Sequence, residues 1–206
     1  MSHARHPGSP TIALFLKAPR LGAVKSRLAA SLGEAAAAAI YRRLAERQLR
    51  ALPAGWPVAV HFDPPEARPE MTAWLGAIQA GLRFAAQCPG DLGERLVAAF
   101  AAEFAGGVPA VIAIGGDCPG LDATVLTAAR DALIEHDAVL GPAVDGGYYL
   151  IGLKACCPAV FASIAWGTAS VLEQTRARLR ESKLHWSELP VLEDVDDEAA
   201  WARARL

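Results

Sequence analysis

Pro109-Ala110-Val111-Ile112-Ala113-Ile114-Gly115-Gly116-Asp117-Cys118-Pro119-Gly120 is the stretch that decides the fold class of this 206-residue chain. Its first six residues carry no charge and fit a short strand buried on both faces. Strands of that kind belong to parallel sheets covered by helices. Two glycines and an aspartate then end the run at once. Open α/β sheets bind ligands at the carboxyl ends of their strands, so Asp117 stands where a functional carboxylate is expected.

The same arrangement, an apolar run stopped by a polar loop, recurs on either side. Residues 11–16 (TIALFL) predict a central strand, followed by the basic loop Lys17-Ala18-Pro19-Arg20-Leu21-Gly22-Ala23-Val24-Lys25-Ser26-Arg27. Residues 137–142 (DAVLGP) and 148–153 (YYLIGL) predict two strands joined by the turn Asp145-Gly146-Gly147. Residues 57–62 and 82–86 add two more strands, and 184–189 an edge strand. Helical segments fill the gaps. Ser31-x-x-Glu34 has capping-box spacing and predicts a helix to about Leu52. Residues 67–80 read as helical. Asp91-x-x-Glu94 starts a helix that Gly106-Gly107 stops. Asp122 caps a helix to about His136, Ser170-x-x-Glu173 opens one to about Glu181, and 197–206 is terminal. Strands alternating with helices predict a three-layer α/β/α sandwich with a mostly parallel central sheet.

Composition limits the partners. With 53% hydrophobic residues and a net charge of −2, the chain is a core-forming one without a global field for nucleic acid or anionic membrane. No apolar run approaches membrane-spanning length. Residues 1–10 are polar, without the apolar stretch of a signal peptide, and are expected to be a disordered lead-in to a single domain over 11–206. The four cysteines, at 88, 118, 156 and 157, form no C-x-x-C pair, and the expectation is reduced thiols in a cytoplasmic protein.

Anion binding must then come from a local cluster. Lys17, Arg20, Lys25 and Arg27 lie between a strand and a helix, where cations and helix N-termini suit phosphate. The loop is neither a Walker loop nor a G-x-G-x-x-G dinucleotide loop; the alternative is a solvated turn. Asp117 suits a hard cation such as Mg²⁺ or Mn²⁺, or else caps its turn, a task for which Asp122 is better placed. Asp145-Gly146-Gly147 is a strong hairpin signal, and Tyr148 and Tyr149 beside it suit a sugar or a base. In Glu193-Asp194-Val195-Asp196-Asp197-Glu198, most acids favour the dipole of the last helix, while Asp194 or Asp196 is a candidate second metal ligand beside Asp117. A basic loop and acidic loops at strand ends imply a nucleotide or nucleotide-sugar ligand bridged by metal.

Three blocks and a late acidic pair together carry a resemblance. The blocks are Phe15–Arg20 with Lys25–Leu28, Gly116–Pro119, and Gly141–Gly152 with its Asp145-Gly146-Gly147-Tyr148-Tyr149 core; the pair is Asp194 and Asp196. In this order, over nearly the whole chain after residue 10, they resemble a bacterial glycosyltransferase-like family of the GT-A, or nucleotide-diphospho-sugar transferase, superfamily. Some of its members carry the description of arsenosugar-biosynthesis glycosyltransferases, and looser relatives are the phospholactate and molybdenum-cofactor guanylyltransferases. The resemblance implies a GT-A fold, with Lys17, Arg20, Lys25 and Arg27 on nucleotide phosphates and Asp117 and Asp196 on Mg²⁺ or Mn²⁺. Asp145 and Gly146 would line the donor or acceptor pocket; Gly147 and Tyr148 are further substrate-binding candidates, and Asp117 and Asp145 are the candidate catalytic residues. The chain departs from the family pattern at Gly116 and Gly167, where serine is usual, at Val144, where glutamate is usual, and over Asp197-Glu198-Ala199-Ala200. The expected activity is transfer of a sugar from a nucleotide-diphosphate sugar to a small-molecule acceptor. The alternatives are nucleotidyl transfer from an NTP to a phosphorylated small molecule, and a nucleotide-binding module without turnover.

Overall fold

The computed structural model describes residues 8–204; the expected lead-in falls outside them except at 8–10, as does the end of the last predicted helix. The apolar runs become β1 (Thr11–Lys17), β2 (Val58–Asp63), β3 (Arg83–Ala86), β4 (Val111–Ile114), β5 (Ala138–Pro142), β6 (Tyr148–Leu153) and β7 (Trp186–Glu188). They form a seven-stranded sheet in the order β3-β2-β1-β4-β6-β5-β7. Pairing is parallel throughout except that β6 runs against both of its neighbours. Every residue of β4 and β5 is buried, as expected of strands covered on both faces.

Helices α1 (Ser26–Leu32), α2 (Glu34–Arg50), α3 (Arg68–Gly76), α4 (Leu92–Ala105), α5 (Ala123–Glu135), α6 (Val171–Glu181) and α7 (Glu198–Ala204) complete the chain. On one face of the sheet, Tyr41, Leu49, Met71, Leu75 and Leu126 from α2, α3 and α5 pack on Ile12, Val60 and Ile112. On the other, Leu96, Phe100 and Leu179 from α4 and α6 pack on Ala13, Val111 and Ile151. Leu28, Ala37, Leu44 and Val195 form an outer cluster, with Trp201 against it, that fastens α1 and α7 to α2.

One predicted element needs correction. The helix expected from Ser31 is two helices, broken at Gly33, whose φ of 85° and ψ of 156° a side chain would resist. Ser31 is therefore inside α1, and no capping box forms there. The box at Asp91 does form: Asp91 accepts from the Glu94 amide while Glu94 accepts from the Asp91 amide. Asp122 likewise accepts from the amides of Thr124 and Val125.

Candidate active site

Parallel strands bring their carboxyl ends to one edge, and this order collects every polar loop singled out above. The ends of β1 and β4 carry residues 17–27 and 115–120 to that edge. Because β6 returns antiparallel, the β5–β6 turn over 143–147 lies at the same edge, and so does the segment after β7. That segment runs alongside: Ala143 pairs with Leu192, the Val144 amide donates to Leu192 O, and the Val195 amide donates to Asp117 O at 2.9 Å. The chain leaves β1 toward β2 on one side, while β4 lies on the other. Such a reversal of strand order opens a crevice.

A cleft of about 590 Å³ occupies the crevice, lined by Lys17, Gly22–Arg27, Tyr41, Gln87, Arg95, Gly115–Asp117 and Asp196 among others. That volume is of the size that holds small ligands and cofactors. Lys17 and Arg27 are exposed beside it. Lys25 is not: its side chain is 6% exposed, and its Nζ donates to Asp117 Oδ2 and to Asp196 Oδ1, both at 2.7 Å. Burial works against the ammonium, but Asp117 and Asp196 outweigh it and hold the Lys25 pKa above its ordinary value. Lys25 also adopts left-handed backbone, φ 50°, immediately before α1.

Asp194 stands behind this pair. Burial, then the nearby Asp117 carboxylate, pushes its carboxyl well above the ordinary carboxylate range, with Asp145 contributing in the same direction. Its Oδ1 is buried without a hydrogen-bond partner. Asp117, Asp145 and the Asp194–Asp196 segment, distant from one another in sequence, therefore share one field.

Other expected residues stand elsewhere. Arg20 does not line the cleft; its guanidinium pairs with Glu66 at 3.0 Å and Glu70 at 3.2 Å. Asp145 Oδ1 accepts from the Gly147 amide at 2.9 Å, closing its own turn. Gly146, at φ 87°, packs so close to the Ala169 backbone that a Cβ would collide with it. Tyr148 turns its hydroxyl into the protein, where it is buried and its ring meets Trp166 edge-on at 6.5 Å. Tyr149 is buried and donates to Pro190 O. Gly116 has a reason of its own, since a Cβ there would run into Leu16 Cδ2.

Three cleft residues were not foreseen. Tyr41 Oη accepts from the Lys17 amide at 2.8 Å. Gln87, directly after β3, donates to His61 O at 2.8 Å and accepts from Arg95 Nη1 at 3.1 Å. Arg95 also donates to Gly90 O and lies 3.4 Å from Asp63. Arg95 did carry a signal: a cation in the first turn of a helix opposes the macrodipole, so something other than helix stability places it there.

The fold is of the GT-A, nucleotide-diphospho-sugar transferase type, and similarity to known proteins makes the chain a transferase. A "putative nucleotide-diphospho-sugar transferase" from Desulfovibrio desulfuricans G20 superposes with a TM-score of 0.84 at 35% identity, over 92% of this chain and 83% of that one. The chain belongs to the family described as "Uncharacterized protein conserved in bacteria (DUF2064)", whose model matches residues 47–168. The 4-diphosphocytidyl-2C-methyl-D-erythritol synthase of Anaerococcus prevotii DSM 20548 shares the fold, with a TM-score of 0.62 at 10% identity over 98% of this chain and 97% of that one. So does Rv0371C of Mycobacterium tuberculosis H37Rv in complex with manganese, with a TM-score of 0.52 at 14% identity over 95% and 98%. Among curated proteins, none matches the chain in sequence. No helix among the described residues is long and apolar enough to cross a membrane.

Proposed function

We propose that this protein binds a nucleotide-diphosphate sugar in the β1–β4 cleft together with Mg²⁺ or Mn²⁺ and transfers the sugar to a small-molecule acceptor. The observation that carries the proposal is the convergence of Asp117 and Asp196 on one cation-sized point in the cleft wall, 2.7 Å from each carboxylate oxygen. Two carboxylates fit Mg²⁺ or Mn²⁺ in this setting. No group of three or more potential metal-binding side chains occurs among the described residues, and Mg²⁺ is commonly held by one or two carboxylates plus substrate phosphates and water. The relative named for nucleotide-diphospho-sugar transfer supports the same ligand class.

Lys17 and Arg27 then face the diphosphate, and their charges stabilise it as the bond to the sugar breaks. A dication held there would supply further positive charge for the leaving diphosphate. Asp117 and Asp196 would hold that ion. Asp145, across the segment at 192–196, is the candidate to accept a proton from the acceptor hydroxyl.

Nucleotidyl transfer is the second proposal. In its favour, one oxygen of Asp145 is engaged by the Gly147 amide, which weakens the case for that residue as a base. The two reactions differ in product: glycosyl transfer releases a nucleoside diphosphate, and nucleotidyl transfer releases pyrophosphate.

A thermal-shift panel of NTPs, NDPs and nucleotide-sugars with and without Mn²⁺, on wild type and Asp117→Ala, tests the binding that both require, and product analysis with the donor so found separates them. A ligand that binds the native state raises the midpoint by mass action. We expect a metal-dependent rise for a nucleotide or nucleotide-sugar that disappears in Asp117→Ala. No shift with any of them would overturn the nucleotide proposal; a shift without turnover of any donor would favour a binding module.

A further inference from the structure

The Asp117–Asp196 pair already holds a cation, the ammonium of Lys25. We propose that Lys25 and the divalent ion exchange at these two carboxylates, so that metal entry releases the lysine into the phosphate cleft. This rests on the metal role given above to Asp117 and Asp196.

The geometry has three parts. Lys25 Nζ lies 2.7 Å from Asp117 Oδ2 and 2.7 Å from Asp196 Oδ1, so it uses the oxygens that a dication would use. A Mg²⁺ ion bonds carboxylate oxygen at about 2.1 Å, so it competes for that space as well as for the lone pairs, and its charge repels the ammonium. One ammonium leaves one of the two carboxylate charges uncompensated, whereas a dication offsets both.

The lysine also has somewhere to go. Lys25 lines the same cleft as Lys17 and Arg27, the two cations exposed beside it. Its left-handed backbone at φ 50° is disfavoured for a side-chain-bearing residue, so its ion pairs help hold the present conformation. Once released, the ammonium meets the diphosphate. Metal and diphosphate should therefore strengthen each other's binding, and the free protein should be guarded against metal without substrate.

The test measures Mn²⁺ binding directly, by the spin-resonance signal of free Mn²⁺, on wild type and Lys25→Met without nucleotide. Removing the competing ammonium should tighten Mn²⁺ binding by about tenfold. Equal or weaker binding in Lys25→Met, with Mn²⁺ still bound by wild type, would overturn the exchange and leave the metal site standing. No Mn²⁺ bound by either protein would overturn the exchange, while the metal role itself is decided by the metal dependence of the nucleotide-induced thermal shift. Acetylation of the wild-type protein, read at Lys25 by mass spectrometry, decides the matter should Lys25→Met fail to fold. Saturating Mn²⁺ alone should raise labelling of this buried amine several-fold, and unchanged or reduced labelling would overturn the exchange.

Discussion

Lys25 and Arg20 sit five residues apart in one basic loop and have opposite fates. Lys25 is drawn into the acidic pair, whereas Arg20 turns out to Glu66 and Glu70. Charge density in the loop was legible in the sequence, but the partner of each charge was not, because the partners lie 46 to 171 residues away. The difference predicts unequal mutants. Arg27→Ala should weaken nucleotide binding by about 1 kcal/mol, or roughly fivefold at low salt, and less at high salt. Arg20→Ala should change it by less than about twofold, since its ion pairs are exposed and outside the cleft. Titrations of both variants with the nucleotide found in the thermal panel, at two ionic strengths, check the order. Gly116 teaches a related lesson. Its departure from serine matches the close approach of Leu16, so it reports packing beneath the cleft.

Elements were legible where local chemistry fixes them. The Asp91–Glu94 box and the Asp122 cap both form at the expected residues, because a cap is satisfied within three residues of itself. The Ser31–Glu34 spacing misled because Gly33 between them takes a positive φ and starts a new helix. The β5–β6 turn shows local and tertiary constraint together. Asp145 caps it locally, while Gly146 is also pressed against the Ala169 backbone, with the Ala169 Cα 2.8 Å from where a Cβ would sit. Gly146→Ala should therefore cost about 1–3 kcal/mol for the backbone alone, with the collision adding to it. Chemical denaturation measures the loss, and a variant as stable as wild type would show that this turn is not constrained as described.

At the scale of the molecule, a buried charge cluster ties the sheet edge to α4. Glu103 of α4 is buried and meets Arg83 of β3, at 3.3 Å from Nη1, and His61 of β2, at 3.4 Å. Burial alone would raise its pKa, but the close approach of His61 and the ion pair with Arg83 outweigh it and hold the carboxyl below its ordinary value of 4.5. A carboxylate with a depressed folded pKa stabilises the fold above its unfolded pKa. That contribution is lost as pH falls below 4.5 and through the folded value. Glu103→Gln should thus be less stable than wild type by about 1–3 kcal/mol at pH 7, with the difference shrinking below pH 4.5. Denaturation midpoints of both proteins from pH 7 to 3 check the sign. Taken as a whole, the sequence by itself determined the layers: short uncharged runs must be covered on both faces, and alternation with helices dictates a parallel sheet. It also located the polar loops, since side chains that end a buried strand must meet solvent or ligand. Only the tertiary structure decided how these loops combine. The antiparallel return of β6 and the passage of residues 192–196 beside Asp117 bring four acids and Lys25 into one field, and such contacts depend on strand order across the whole sheet, which no local pattern encodes.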